Sequence, residues 1–193
     1  MCEQFARRQI AYAQQHGIKR VFLAARWSAY ADGAAYPPHG KESYFLTAPG
    51  FEALSKENSS RLFARALERT VAEYNRIGAE VVVLAQVPQQ RYHPKSVYYR
   101  IYNPEANGTP EAKRFVQQAS VPYEQHLQLQ SFSRNVVGAL ANSGRLKFVS
   151  FDSSLCGEGI CMIGNESVSY YRDMDHLSPE GVRRIVGDLA PYF

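Results

Sequence analysis

In Leu62-Phe63-Ala64-Arg65-Ala66-Leu67-Glu68-Arg69-Thr70-Val71-Ala72-Glu73-Tyr74-Asn75-Arg76-Ile77-Gly78-Ala79-Glu80-Val81-Val82-Val83-Leu84-Ala85 the spacing of apolar side chains changes across one glycine. Before it, Leu62, Phe63, Ala66, Leu67, Thr70, Val71, Tyr74 and Ile77 recur at intervals of three and four, with arginines and glutamates opposite. That is the stripe of an amphipathic helix, which the sequence places from Asn58 or Ser59 to a glycine C-terminus at Gly78. After it, Val81 to Ala85 is a short, continuous apolar run stopped near Pro88, the pattern of a strand buried on both faces. The same alternation extends outward. Residues 3 to 16 read as a helix ending at Gly17, Arg20 to Ala25 as a buried strand, Pro122 to Asn142 as a helix and Leu146 to Phe151 as a third strand. Right-handed crossovers between such strands give an α/β fold, with a parallel sheet covered by helices on both faces.

The 193 residues, 45% apolar and 21% charged, suit a single globular domain over 1–193, with a composition far from that of a disordered or fibrous chain. No apolar run exceeds five residues, far below the ~20 needed to cross a bilayer, and the N-terminus lacks the apolar core of a signal peptide. The net charge is +4, with 16 Arg against 6 Lys, a composition that favours carboxylate, phosphate and ring partners. The basic residues are scattered, so no nucleic-acid stripe forms and no nucleic-acid partner is expected. The Pro/Gly/Asn-rich stretches at 32–50 and 88–110 read as long loops.

Leu177-Ser178-Pro179-Glu180-Gly181-Val182 marks a last helix: Ser178 as N-cap, Pro179 at the first helical position, Glu180 favouring the dipole, Leu177 stapled to Val182. Ligands of open parallel sheets bind beyond the carboxyl ends of the strands. That rule selects Arg26-Trp27-Ser28, Gln86 to Arg91, Asp152-Ser153-Ser154, and the loop Arg172 to Leu177, which are expected to share one edge. Within the last, Asp173 stands three residues before His176. A carboxylate so placed can hold the Nδ1 proton of the imidazole while Nε2 faces a nucleophile; the plain alternative is a pair of solvated loop residues.

Tyr171-Arg172-Asp173-Met174-Asp175-His176-Leu177-Ser178-Pro179-Glu180-Gly181 resembles the closing motif of SGNH (GDSL-type) hydrolases and transferases. It is most similar to the SGNH domain that follows a membrane acyltransferase-3 domain in bacterial polysaccharide O-acetyltransferases. Val21-Phe22-Leu23-Ala24-Ala25-Arg26-Trp27-Ser28-Ala29-Tyr30 resembles a second signature of that subfamily, as does the pair Cys156 and Cys161 ahead of the DxxH segment. The resemblance covers nearly the whole chain and implies a flavodoxin-like three-layer α/β/α sandwich. It implies Asp173 as triad acid, His176 as general base, and a serine nucleophile in a Gly-Asp-Ser motif after a first strand. These 193 residues contain no Gly-Asp-Ser and no GxSxG, so that strand and the nucleophile are expected to lie outside the chain, leaving an exposed sheet edge open to self-association. Ala25-Arg26-Trp27 stands where many relatives carry GxND. Arg26 can place positive charge near an oxyanion, with Trp27 beside it, or the two are a surface arginine and a core tryptophan.

By the same resemblance the partners are a carbohydrate acceptor, an acyl donor and a membrane acyltransferase domain, at an extracytoplasmic, periplasmic location, with no cofactor. Cys156 and Cys161 enclose a Gly-containing turn that can close a local bridge, and an exported domain would keep that disulfide oxidised. With no second Cys/His pair, no metal site is expected. Ser28, Ser153 and Ser154 are candidate substitute nucleophiles or, more simply, turn formers. The Tyr92–Asn107 stretch, with Tyr98, Tyr99, Arg100 and Tyr102, can contact a sugar or pack a loop. The chain is thus expected to be an O-acyltransferase SGNH domain, with two alternatives: a non-catalytic glycan- or protein-binding module, or a carbohydrate esterase of the same fold.

Overall fold

A computed structural model describes residues 2–35, 45–51, 53–101 and 108–193. In chain order the elements are α1 (Cys2–Gln15), β1 (Arg20–Leu23), α2 (Trp27–Asp32), α3 (Lys56–Arg76), β2 (Glu80–Leu84), α4 (Pro94–Ile101), α5 (Pro110–Ala119), β3 (Val121–Pro122), α6 (Tyr123–Asn142), β4 (Lys147–Val149), α7 (Asp152–Leu155), β5 (Cys156–Gly157), β6 (Ile160–Cys161) and α8 (Pro179–Leu189), closed by a 3-10 turn at Ala190–Tyr192. They gather into two compact units.

The first unit, Met1–Gly33, Tyr44–Ala85 and Phe132–Val149, holds a parallel sheet of order β1-β2-β4. Val21 pairs with Val81, and Val83 with Phe148. Val81, Val82 and Val83 are fully buried, as their unbroken apolar run requires. Phe63, Leu67, Val71 and Tyr74 of α3 meet Val81, Val83, Val137 and Leu140 in one core. Each such large side chain contributes roughly 1.5–3 kcal/mol on burial. Among the described residues β1 has a hydrogen-bonded neighbour on one side only. Beside it, Phe22, Leu23, Trp27, Tyr30, Phe63 and Leu67 line a hollow of about 400 Å³.

The helix over α3 begins earlier than the periodicity suggests. Ser55 is the N-cap, accepting from the Asn58 amide at 3.2 Å, so Lys56 opens the helix. Ser59 is instead a buried tie: it accepts from the Leu46 amide at 3.0 Å and donates to the Tyr30 carbonyl at 3.2 Å.

The second unit takes Ala34–Ser43, Gln86–Ser131 and Ser150–Phe193. Its small antiparallel sheet has the order β3-β6-β5, with Val121 opposite Cys161, and Cys161 opposite Cys156. Val97 and Ile101 of α4, Val116 and Ala119 of α5, and Ile163, Tyr170 and Tyr171 form its core. Here the expected loop at 88–110 is corrected. It contains α4 and the start of α5, whose Thr109 N-cap accepts from the Ala112 amide, with Pro110 at the first position. That is the Ser178-Pro179-Glu180 pattern repeated as Thr109-Pro110-Glu111, hidden by the turn-rich composition around it. Pro122, expected to open α6, lies in strand β3, and Ser153 and Ser154, read as turn formers, lie in the short helix α7.

Candidate active site

The segment from Ser169 to Gly181 is fixed largely by hydrogen bonds within itself. Tyr171 bridges to Leu177, and the Arg172 amide donates to the His176 carbonyl at 2.8 Å, so residues 172–176 close into a tight loop. The Ser178 amide donates to the Tyr170 carbonyl at 2.9 Å. Its hydroxyl donates to the Ser169 carbonyl at 2.7 Å while accepting from the Gly181 amide at 3.2 Å. Ser178 therefore caps α8 and ties it to the segment before the loop. Gly181 is required by proximity: a Cβ there would stand 2.0 Å from the Tyr170 carbonyl oxygen.

Inside the loop, Oδ1 of Asp173 accepts from the amides of His176, at 2.8 Å, and Asp175, at 3.1 Å. Both carboxylate oxygens lie 2.9 Å from His176 Nδ1. An ionised carboxylate only accepts, so Nδ1 carries the proton and Nε2 of the neutral ring keeps its lone pair. The imidazole is 61% exposed, whereas the Asp173 side chain is half-covered. Partial burial pushes the Asp173 carboxyl up. The two backbone amides and the His176 ring outweigh that and hold it down at about 2, from an ordinary 3.8. Asp175, 5% exposed, adds a second carboxylate oxygen 3.3 Å from Nδ1. This arrangement can take a proton at Nε2 and stabilise the resulting imidazolium.

Gln90 holds the loop from behind. Its amide donates to the Met174 carbonyl at 2.7 Å, its side-chain nitrogen to the Cys161 carbonyl at 3.2 Å, and its side-chain oxygen accepts from the Val121 amide at 3.3 Å. Fully buried, it joins the segment after β2 to the Asp173–His176 loop, to β6 and to β3. Tyr171 is buried against it, and that burial pushes the phenol up. Gln89, 1% exposed, has neither side-chain amide atom bonded among the described residues.

A second polar cluster escaped the sequence reading. His126, fully buried on α6, bonds Asp152 Oδ1 through Nε2 at 3.0 Å and meets the Gln130 side-chain nitrogen at Nδ1 at 3.2 Å. Gln130 is itself oriented by the Gln86 carbonyl at 3.0 Å. Because that amide nitrogen only donates, Nδ1 accepts and Nε2–H donates to Asp152. No local spacing announces this pairing, since its members lie 26 residues apart.

Arg26 and Trp27 lie in the first unit. Trp27 donates from Nε1 to the Leu84 carbonyl at 2.7 Å and sets its ring edge-on to Phe63, so it packs, partly buried, against the core of that unit. Arg26 precedes α2 as its N-cap position and makes no side-chain cap. Ser28 is 1% exposed, which removes it as a nucleophile for an external substrate in this conformation. Ser153 is exposed on α7, and the Ser154 carbonyl accepts from Arg184 Nε at 3.1 Å, tying α7 to α8. Cys156 and Cys161 are disulfide-bonded across β5 and β6. Tyr98 donates to the carbonyls of Asn165 and Val168 and so packs its helix, Tyr99 is 89% exposed, and Tyr102 lies outside the described residues. Among the described residues two groups have metal-ligand chemistry within 4.8 Å: Asp173, Asp175 and His176; and His126, Cys156 and Cys161.

The model of the SGNH domain family described as fused to AT3 domains matches residues 1–191. No curated protein matches the chain. Among solved structures it is similar to the periplasmic domain of the lipopolysaccharide acetyltransferase of Salmonella ser. Paratyphi A, with a TM-score of 0.59 and 14% identity over 96% of this chain. It spans 60% of that neighbour's length. At such identity the likeness speaks for the fold alone: mixed α/β, built on a parallel sheet. A DxxH loop locked ahead of a Ser-Pro capped helix, carried on that fold and matched from end to end by one family model, makes the chain a member of the SGNH domain family fused to AT3 domains.

Proposed function

We propose that the chain is the SGNH part of an O-acyltransferase that places acetyl groups on a surface polysaccharide, outside the cytoplasm and together with a membrane acyltransferase domain. The observation that carries this reading is the Asp173–His176 pair: both carboxylate oxygens 2.9 Å from Nδ1, with an exposed ring. In the proposed reaction His176 Nε2 takes the proton of a serine hydroxyl as its oxygen attacks the acetyl carbonyl of the donor. Asp173 steadies the imidazolium, and the donor fragment leaves with that proton. The sugar hydroxyl then gives its proton to Nε2, attacks the acyl-serine, and the proton returns to the serine oxygen. The serine is assigned to none of the described residues. The membrane partner is supported by the fusion that the family description names, and no helix among the described residues is long and apolar enough to cross a membrane itself.

A second reading is a non-catalytic glycan- or protein-binding module of the same fold. One experiment separates the two. His176→Ala and Asp173→Asn are introduced into the native gene and the O-acetyl content of surface polysaccharide is measured at matched protein level. The acyltransferase reading expects loss in both variants, by roughly 10²-fold or more for His176→Ala. Unchanged acetylation in His176→Ala, with loss only on deleting the domain, supports the binding module.

A further inference from the structure

The β5–β6 hairpin sets Cys156 and Cys161 directly opposite one another, so both side chains leave the same face. That face meets His126: one ring nitrogen and the two sulfurs lie within 4.8 Å of one another. His126 and Cys161 are fully buried and Cys156 half-buried. We propose that reduction of this disulfide converts His126, Cys156 and Cys161 into a binding site for a thiophilic divalent cation of the zinc class.

The chemistry balances with a thiol or dithiol reductant. The reductant gives two electrons and two protons to the Cys156–Cys161 bond and leaves as its own disulfide, producing two thiols. The cation then displaces both thiol protons, forms two metal–sulfur bonds, and accepts a lone pair from the His126 ring. A tetrahedral zinc has metal–sulfur and metal–nitrogen distances of ~2.3 and ~2.0 Å, so its ligand atoms stand about 3.5–4 Å apart. Opening the bond lets the two sulfurs move apart to that spacing, and one imidazole nitrogen already lies within 4.8 Å of both. Two thiolates cancel the charge of the cation, which suits a buried place. The cation takes one ring nitrogen in place of its present hydrogen bond, and the other nitrogen keeps its own, Nε2 to Asp152 Oδ1 at 3.0 Å or Nδ1 to Gln130 at 3.2 Å, which orients the ring.

The site does not depend on the disulfide to exist. Val121 and Pro122 of β3 pair with Cys161 and Ile160. Gln90 holds the Cys161 carbonyl, Met162 donates to the Leu155 carbonyl at 3.0 Å, and Ile163 donates to Ser120 Oγ at 3.0 Å. The hairpin therefore stays opposite α6 after reduction. Cys-x4-Cys alone lacks the third ligand; the fold supplies it from 30 residues upstream of Cys156.

The test uses the full chain in a Cys2→Ser background, reduced with a phosphine, freed of reductant without air, and titrated with cobalt(II). The expected result is one cobalt per chain, showing thiolate-to-cobalt charge transfer and the strong visible bands of four-coordinate cobalt, both erased by zinc. The oxidised protein shows neither. Cys161→Ser, checked for an unchanged circular dichroism spectrum in the reduced state, and His126→Asn weaken binding at least about tenfold. Zinc also raises the melting temperature of the reduced protein and leaves that of the oxidised protein unchanged. Reduced protein with no thiolate–cobalt band overturns the proposal. So does an undiminished band in Cys161→Ser, which would place the metal elsewhere.

Discussion

Replacing Asp173 by Asn removes a charge while keeping one acceptor oxygen for the amides of Asp175 and His176. The native carboxyl titrates at about 2 against an ordinary 3.8. A lowered folded-state pKa means stabilisation that is complete above the unfolded value and lost as the pH falls through the folded one. At full strength the gap is worth about 2.4 kcal/mol. The side chain is 32% exposed, and solvent screening brings the expected contribution to about 1 kcal/mol. Asp173→Asn should therefore lower stability by about 1 kcal/mol at pH 7, or roughly 2–4 °C in melting temperature for a chain of this size. The difference should fall to about half at pH 3 and nearly vanish at pH 2. Urea unfolding followed by far-ultraviolet circular dichroism at each pH reads both quantities. A difference that stays constant from pH 7 to pH 3 would refute the assignment of the stabilisation to this carboxylate's charge.

Four further outcomes follow from the same contacts. Opening the Cys156–Cys161 bridge, which spans a sequence separation of 5, should cost about 2 kcal/mol and show as a lower melting temperature in reductant or in the Cys156→Ala/Cys161→Ala variant; equal melting curves would contradict it. Gly181→Ala forces a Cβ onto the Tyr170 carbonyl and should destabilise by about 3 kcal/mol or more in denaturant titration, whereas a loss below about 1 kcal/mol would mean that α8 can shift freely. Gln89→Met replaces a buried amide that has no partner among the described residues by an apolar chain of similar length and should raise stability by about 1 kcal/mol; a marked loss would reveal a partner for that amide. The side of β1 that has no hydrogen-bonded neighbour among the described residues, flanked by an apolar hollow, should recruit a second copy, so light scattering should find concentration-dependent association that Phe22→Lys weakens, and a strict monomer at high concentration would dismiss it.

What could be read from the sequence was local. The β2 run Val81–Val83 and the stripe of α3 declared themselves through spacing, and the Ser178-Pro179 start of α8 through its cap chemistry, because in each the physical cause acts within a few residues. The Asp173–His176 contact was legible for the same reason: it closes inside one tight loop. Gln90 and the His126–Asp152 pair were not, since a buried polar side chain is defined by partners brought in from 26 to 71 residues away, and nothing in its neighbours marks it. Trp27 shows the converse. A tryptophan beside an arginine after a strand fits a binding surface, but only the Leu84 carbonyl and the Phe63 ring tell that it packs against a core. The helices α4 and α5 were missed because prolines and glycines that start or bound a helix look, in composition, like those that break one.

The Gln90 side chain sets limits on how this region can diverge. Three main-chain groups, from β3, β6 and the Asp173–His176 loop, converge on one residue, and two of them need an amide that donates on one side and accepts on the other. Glutamate lacks the donor, leucine lacks both groups, and asparagine is a methylene too short. The turns beyond these anchor points are free to lengthen, shorten or change charge, and with them whatever ligand they meet. The anchor points themselves can move only together, so new specificities here would arise by rebuilding the rims of the loops around a joint that stays fixed.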